Sequence, residues 1–230
     1  MSVERAVKLL RRGEMVLIYD DDRREGETDI VFPASSVEPK DVRLMRRDGG
    51  GLICVALSAE VCRKLSLPYA FEIFRKASDI LPENIIEAPG DVKYDSHSSF
   101  SIWVNHRDVF TGITDRDRAL TIREIGKIAE RVLSGEKVKF GDYFRAPGHV
   151  PVLRASDGLL KTRRGQTELS VALAEIAGIT PAMVICEMLD EDTALPKSEA
   201  RRYAEEKKSV FLEGWEIVEA WERLQEEEAS

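Results

Sequence analysis

Residues 183–188 read Met183-Val184-Ile185-Cys186-Glu187-Met188. The run is apolar at nearly every position and too short to be a helix on its own, so it reads as a strand that is buried on both faces. A strand of that kind needs helices above and below its sheet, which makes the domain layered α/β. Residues 51–57 (GLICVAL) have the same character. Further β-rich runs occupy 15–19 (MVLIY), 28–33 (TDIVFP), 100–104 (FSIWV), 150–154 (VPVLR) and 208–212 (KSVFL), making seven candidate strands. Helical spacing appears at 3–10, stopped by Gly13, and at 115–133, where Ile122, Ile125, Ala129 and Val132 form a stripe behind Thr114 and Asp117. It recurs at 167–177 before Gly178, from Pro196 to about Lys207, and at 214–225. Strand order is not readable from such patterns.

The 230 residues are 43% hydrophobic, enough for a sizeable core, and no linker or repeat divides them. They are expected to form one catalytic domain, 1–230, with an acidic tail at about 226–230 that frays into solvent. Lys plus Arg number 34 against 42 for Asp plus Glu, a net charge of -8 that offers no general surface for nucleic acid. No stretch has the apolar length of a membrane span or the form of a signal peptide. The three cysteines, Cys54, Cys62 and Cys186, show no C-x-x-C spacing and are expected to be reduced. A soluble cytoplasmic protein is expected.

The densest charge cluster is Asp20 to Asp29, with six carboxylates in ten positions. It reads either as a solvated hairpin loop or as a site. Glu25, Glu27 and Asp29 alternate, so on an extended chain they share one side, and Gly26 permits a close approach. Converging carboxylates suit Mg²⁺ or Mn²⁺, with Arg24 available for a phosphate or a hydroxyl. A second cluster, Thr162-Arg163-Arg164-Gly165-Gln166-Thr167-Glu168, immediately precedes a helix, where free backbone N–H groups and arginines can cradle a phosphate. The bland alternative is an ordinary Thr-capped helix start. His149 enters a strand from a turn, and Glu187 interrupts an apolar strand, where partial burial suits a proton-transfer group. His97, His106 and His149 show no H-x-x-x-H pattern, which argues against zinc.

Taken jointly, these segments resemble the 3,4-dihydroxy-2-butanone 4-phosphate synthases of riboflavin biosynthesis. The resemblance rests on Asp20, Arg24, Glu25, Glu27 and Asp29 in order, on Phe110-Thr-Gly-Ile-Thr-Asp115 with Asp117-Arg-Ala-Leu-Thr121, and on Arg145-Ala-Pro-Gly-His149. Arg163-Arg-Gly-Gln-Thr-Glu168 and Ile185-Cys-Glu187 complete it. It implies a single three-layer α/β domain around a mixed sheet and a homodimer with active sites near the subunit interface. It also implies the monofunctional form, without a GTP-cyclohydrolase-like half. The implied reaction converts D-ribulose 5-phosphate to 3,4-dihydroxy-2-butanone 4-phosphate and formate, with Mg²⁺ or Mn²⁺, two ions per site, and no organic cofactor.

Carried over residue by residue, the resemblance makes Glu25 a metal ligand. Arg24, Glu25, Asp29, Thr111, Arg163, Arg164, Gly165, Gln166, Thr167 and Glu187 become substrate contacts. His149, Glu187, Glu25 and Glu27 become the groups needed for turnover. The chain departs from the family where R-x-G-H-T-E carries a metal-binding His and Gln166 stands instead. Its amide oxygen is a neutral, weaker ligand. The alternative is therefore a weakened or non-catalytic sugar-phosphate-binding homologue. A sugar-phosphate isomerase or aldolase is a further enzyme reading, separated from the first by the absence of formate among its products.

Overall fold

The structure, a computed structural model, describes residues 2–228. In chain order it contains α1 (Ser2–Leu10), β1 (Val16–Tyr19), β2 (Thr28–Pro33), α2 (Pro39–Leu44), β3 (Cys54–Leu57), α3 (Ala59–Leu65), α4 (Ala70–Lys76) and β4 (Phe100–His106). There follow α5 (Asp115–Leu133), α6 (Phe140–Tyr143), β5 (Phe144–Arg154), α7 (Gln166–Ala177), β6 (Ala182–Glu187), α8 (Lys197–Glu206), β7 (Phe211–Glu213) and α9 (Gly214–Glu228). The seven strands form one mixed sheet in the order β4-β5-β3-β6-β2-β1-β7. β6 is central, antiparallel to both β2 and β3, while β3–β5 and β1–β7 run parallel.

The central position of β6 explains its composition. Val184 and Cys186 face a core shared with α2, α3, α5 and α8, and Met183 and Ile185 face a second core with α1, α7 and α9. Helices thus cover both faces, giving the expected three layers. Helix α5 begins where Thr114 accepts a hydrogen bond from the Asp117 N–H at 3.1 Å. It lies so close to the chain after β2 that a Cβ on Gly126 would stand 2.5 Å from the backbone nitrogen of Ser35. Gly126→Ala is therefore expected to lower stability by about 1–3 kcal/mol through overpacking, despite alanine's better helix propensity. Urea unfolding that shows a neutral or stabilising change would contradict this close approach.

Several boundaries differ from the periodic pattern. The strand expected at 51–57 starts at Cys54, because residues 49–51 turn to meet β6, where the Gly51 N–H bonds the Glu187 carbonyl at 3.1 Å. β5 starts at Phe144 rather than 150, so His149 lies within a strand. α7 starts at Gln166 with Gly165 as an N-cap lacking a side-chain bond, so the Thr-capped alternative does not apply. Residues 226–228 continue α9 instead of fraying, and 229–230 lie outside the described residues. Helices α2, α3, α4 and α6 are at most seven residues long, too short to show an amphipathic stripe in sequence. Among the described residues no helix is long and apolar enough to cross a membrane.

Candidate active site

The candidate site lies on the α7 side of the sheet, in a cavity of about 420 Å³ lined by Arg24, Glu25, Glu27, Asp29, Arg163, Gln166, Thr167 and Glu187, among others. Its floor is a row of neighbouring strands. Asp29 of β2 stands opposite Glu187 of β6, and Ile185 stands opposite Cys54. Antiparallel pairing puts opposed side chains on one face, with Cβ atoms about 4.5–5.5 Å apart. Two carboxylates that are 158 positions apart in sequence thereby become immediate neighbours.

The acidic loop is shaped by one of its own members. Asp20 is buried, and its two carboxylate oxygens accept from the N–H groups of Glu25 and Glu27, each at 3.1 Å. Asp20 therefore folds the loop rather than joining the ligand set. The expectation of one extended stretch from Glu25 to Asp29 is corrected here, since Gly26 takes a left-handed φ of +67° and β2 begins only at Thr28. The three carboxylates still line the same cavity because the turn at Gly26 re-aims Glu25.

Crowding raises the proton affinity of these groups. Burial, and then the charges of Glu187, Glu25, Glu27 and Asp20, hold the Asp29 carboxyl well above its usual range. Burial and then Asp20 raise Glu25, although Arg163 and Arg24 oppose them. Glu27 is pushed up to about 7 by burial first and then by Glu25, Glu187 and Asp20. A carboxyl raised in the folded state favours folding when protonated, so this stability is present below the ordinary value near 4.5 and is lost as pH rises to about 7. Metal-free protein is expected to lose about 1–2 kcal/mol over that window, after allowance for the partial exposure of Glu27. Millimolar Mg²⁺ is expected to flatten the slope. Asp95, Asp115 and Asp117 are held below their usual range, so their own losses fall at lower pH. Melting temperatures that do not fall from pH 5 to 7 without metal would refute this.

Gln166 opens α7 and is 6% exposed. Its amide NH₂ donates to the carbonyls of Ile18 at 3.1 Å and Glu27 at 3.0 Å. Two carbonyl acceptors can be met only by the NH₂ end, so the amide oxygen is turned away from them. That oxygen is buried without a hydrogen-bond partner on the cavity wall. An orphaned neutral oxygen beside crowded carboxylates is the donor set of a hard divalent cation. No three His, Cys, Asp or Glu side chains among the described residues form a ready-made cluster. Mg²⁺ does not need one, because it is commonly held by one or two carboxylates, with water and substrate oxygens filling its remaining positions. Glu25 and Gln166 fit that pattern.

Arg163 is pinned by two carboxylates. It pairs with Glu168, a fully buried residue whose other oxygen accepts from the Ser156 N–H at 2.9 Å, and with Asp95. Arg24 pairs with the same Asp95 oxygen at 2.9 Å. Asp95, Tyr94 and His97 belong to the long segment between α4 and β4, which carries no periodic signal. Tyr94 and His97 line the cavity, and the Tyr94 carbonyl accepts from Arg24 at 3.3 Å. The available clue is length, because a structureless stretch of this size inside a compact domain is commonly functional.

Other expected site residues lie elsewhere. Arg164 turns outward to the Leu160 carbonyl and to Glu222. Gly165, by contrast, caps α7 against the two arginines, where a Cβ would stand 2.5 Å from Arg163 Nη1 and 2.9 Å from Arg24 Nη2. His149 and Thr111 form a separate exposed cluster at the bulge between β4 and β5, organised by buried Asn105. Asn105 accepts from the His149 N–H at 2.8 Å and donates to the Thr111 carbonyl at 3.4 Å. Gly148 is required there, since a Cβ would fall 1.9 Å from the Val104 carbonyl carbon. Phe110 is 95% exposed and Ile113 52% exposed beside this cluster.

Residues 4–220 match the family model described as 3,4-dihydroxy-2-butanone 4-phosphate synthase. A protein of that name from Methanosarcina mazei is 58% identical over 96% of this chain and 91% of its own length. Another from Archaeoglobus fulgidus is 55% identical over 100% of this chain and 98% of its own length. A crystal structure of a 3,4-dihydroxy-2-butanone 4-phosphate synthase in complex with two magnesium ions is similar with a TM-score of 0.77 and 26% identity, covering 98% of both chains.

Proposed function

The chain belongs to the 3,4-dihydroxy-2-butanone 4-phosphate synthase family, and on that premise we propose that it is a single catalytic domain converting D-ribulose 5-phosphate to 3,4-dihydroxy-2-butanone 4-phosphate and formate. The observation that carries this reading is the cross-strand Asp29–Glu187 pair facing the orphaned Gln166 oxygen and the Arg24–Arg163 pair in one cavity. Product and formate together contain every atom of the substrate. The net reaction therefore needs no oxidant and no organic cofactor.

Glu25 and Gln166 would hold Mg²⁺ or Mn²⁺, two ions per site with the help of neighbouring carboxylates, water and substrate oxygens. Bound there, the ions would supply positive charge to the vicinal oxygens of the sugar. Removal of the C3 proton needs a base, a role this reading assigns to Glu187 and Glu27, which line the cavity. Loss of the C1 hydroxyl needs an acid, which the carboxyl that took the C3 proton can then be. A skeletal shift and hydration then release C4 as formate. Arg24, Arg163, Thr167 and the first N–H groups of α7 form the anion seat, with Gly165 leaving room beside the two arginines and Arg164, turned outward to Glu222, standing outside it.

His149 and Thr111 reach substrate only from a second copy in this reading. They are exposed, they lie outside the cavity of their own protomer, and they stand beside Phe110 and Ile113, apolar groups suited to a two-fold contact. On this reading the enzyme is a homodimer, and its composition and net charge of -8 favour a cytoplasmic protein without a nucleic-acid partner. Incubation with ribulose 5-phosphate and Mg²⁺ should yield formate. Its absence, with the sugar phosphate bound and unchanged, would favour the silent homologue that the substitution at Gln166 raises. A mixed dimer of Glu187→Gln and His149→Asn protomers should recover about a quarter of the original activity, because one site in each heterodimer is then intact. Failure of the mixture to exceed its components would place both groups in one protomer.

A further inference from the structure

From residue 71 to residue 98 the chain contains no buried residue. A segment with so little apolar anchorage is held by few interactions and opens at low cost. Its polar ties converge on the candidate site. Asp95, with an 8% exposed side chain, pairs with both Arg24 and Arg163, whose side chains are 16% and 9% exposed. The Tyr94 carbonyl accepts from Arg24 at 3.3 Å, and the Tyr94 ring lies under the same guanidinium, 5.8 Å from its carbon.

Glu168 already balances Arg163, and Asp20 lies 3.6 Å from Arg24. With Asp95 in place each guanidinium charge is met by two carboxylates, and among their buried nitrogens only the Nε–H of each lacks a hydrogen-bond partner. The remaining cavity wall carries the carboxyl groups of Glu25, Glu27, Asp29 and Glu187, none of which attracts an incoming anion.

We propose that Asp95 is a specificity-determining residue, whose carboxylate occupies the Arg24–Arg163 seat as an internal stand-in for the ligand's anionic group and yields it only to a phosphate-class dianion. The inference rests on the reading of those arginines as the anion seat. A tethered carboxylate acts at a high effective concentration. A free monocarboxylate offers the same two oxygens and the same single charge, so it gains nothing by replacing Asp95. A phosphate group brings a third oxygen and up to a second charge, which also suits bidentate contacts from both guanidinium groups. The seat thus discriminates against sugars without a phosphate and against small carboxylates such as formate. Opening of the segment accompanies each productive entry.

Calorimetric titrations with inorganic phosphate and with acetate, in Mg²⁺-containing buffer, test this. Asp95→Asn is expected to bind phosphate about tenfold more tightly, by removing the competitor. It should also bind acetate measurably where the unaltered protein does not. Unchanged or weaker phosphate binding by a cooperatively melting Asp95→Asn would overturn the proposal. Should that variant not fold, trypsin on the unaltered protein gives the answer. Cleavage after exposed Lys93 should accelerate with phosphate and not with acetate, and equal rates would refute displacement. Adding Arg24→Gln to Asp95→Asn separates the two levels. If phosphate affinity is then unchanged, the anion seat itself is misassigned. If Arg24→Gln weakens phosphate but Asp95→Asn never tightened it, the seat stands and only the role of Asp95 fails.

Discussion

Glu187→Gln should lower formate release from ribulose 5-phosphate by about 10²–10⁴-fold, the usual contribution of a positioned proton-transfer group. The substitution keeps size and shape, and one side-chain oxygen remains available to the Leu52 N–H that Glu187 now receives at 2.8 Å. It also removes a charge directly opposite buried Asp29. The variant should therefore melt at or above the temperature of the unaltered protein, and a loss of activity could not be assigned to unfolding. Direct titration should show that sugar phosphate still binds, because the arginine pair and α7 are untouched. The decisive measurement is single-turnover formate release at saturating substrate and Mg²⁺. A rate within tenfold of the unaltered chain would move proton transfer to the acidic loop alone.

Arg163→Met is expected to cost about 3–5 kcal/mol of stability, the penalty for leaving a buried partner charge uncompensated. Glu168 is fully buried inside α7, where burial raises its carboxyl and Arg163 is the chief opposing influence. Removing the guanidinium also frees Asp95 from one of its two partners. Denaturant midpoints would measure the loss. Glu168→Gln added to Arg163→Met should recover a substantial part of it, since neighbours in one network are not additive. A loss below 1 kcal/mol would mean that water reaches Glu168. The same residue thus serves fold and site, and its activity effect must be read at a temperature where the variant is folded.

Much of this molecule is legible in its sequence. The β6 run is apolar on alternate and intervening positions alike, and it proved to be the central strand. Helix α5 has the predicted bounds, because nineteen residues show several turns of one stripe behind a cap. The short helices were invisible for the opposite reason. At the site, the acidic loop and the stretch before α7 were conspicuous because chemistry and backbone features coincide there. Tyr94, Asp95 and His97 were not, since an aperiodic loop gives no sign of where it will fold back.

The sequence by itself determined the layered α/β class, the strands, the family and the composition of the acidic loop. All of these follow from local periodicity, turn residues or short ordered motifs. Only the tertiary structure decided that Asp29 faces Glu187, that Gln166 spends its NH₂ on two carbonyls and leaves its oxygen free, that Asp95 sits on both arginines, and that His149 lies outside its own cavity. Those outcomes depend on strand register and on pairing across long separations, where a shift of one residue would turn each side chain to the opposite face.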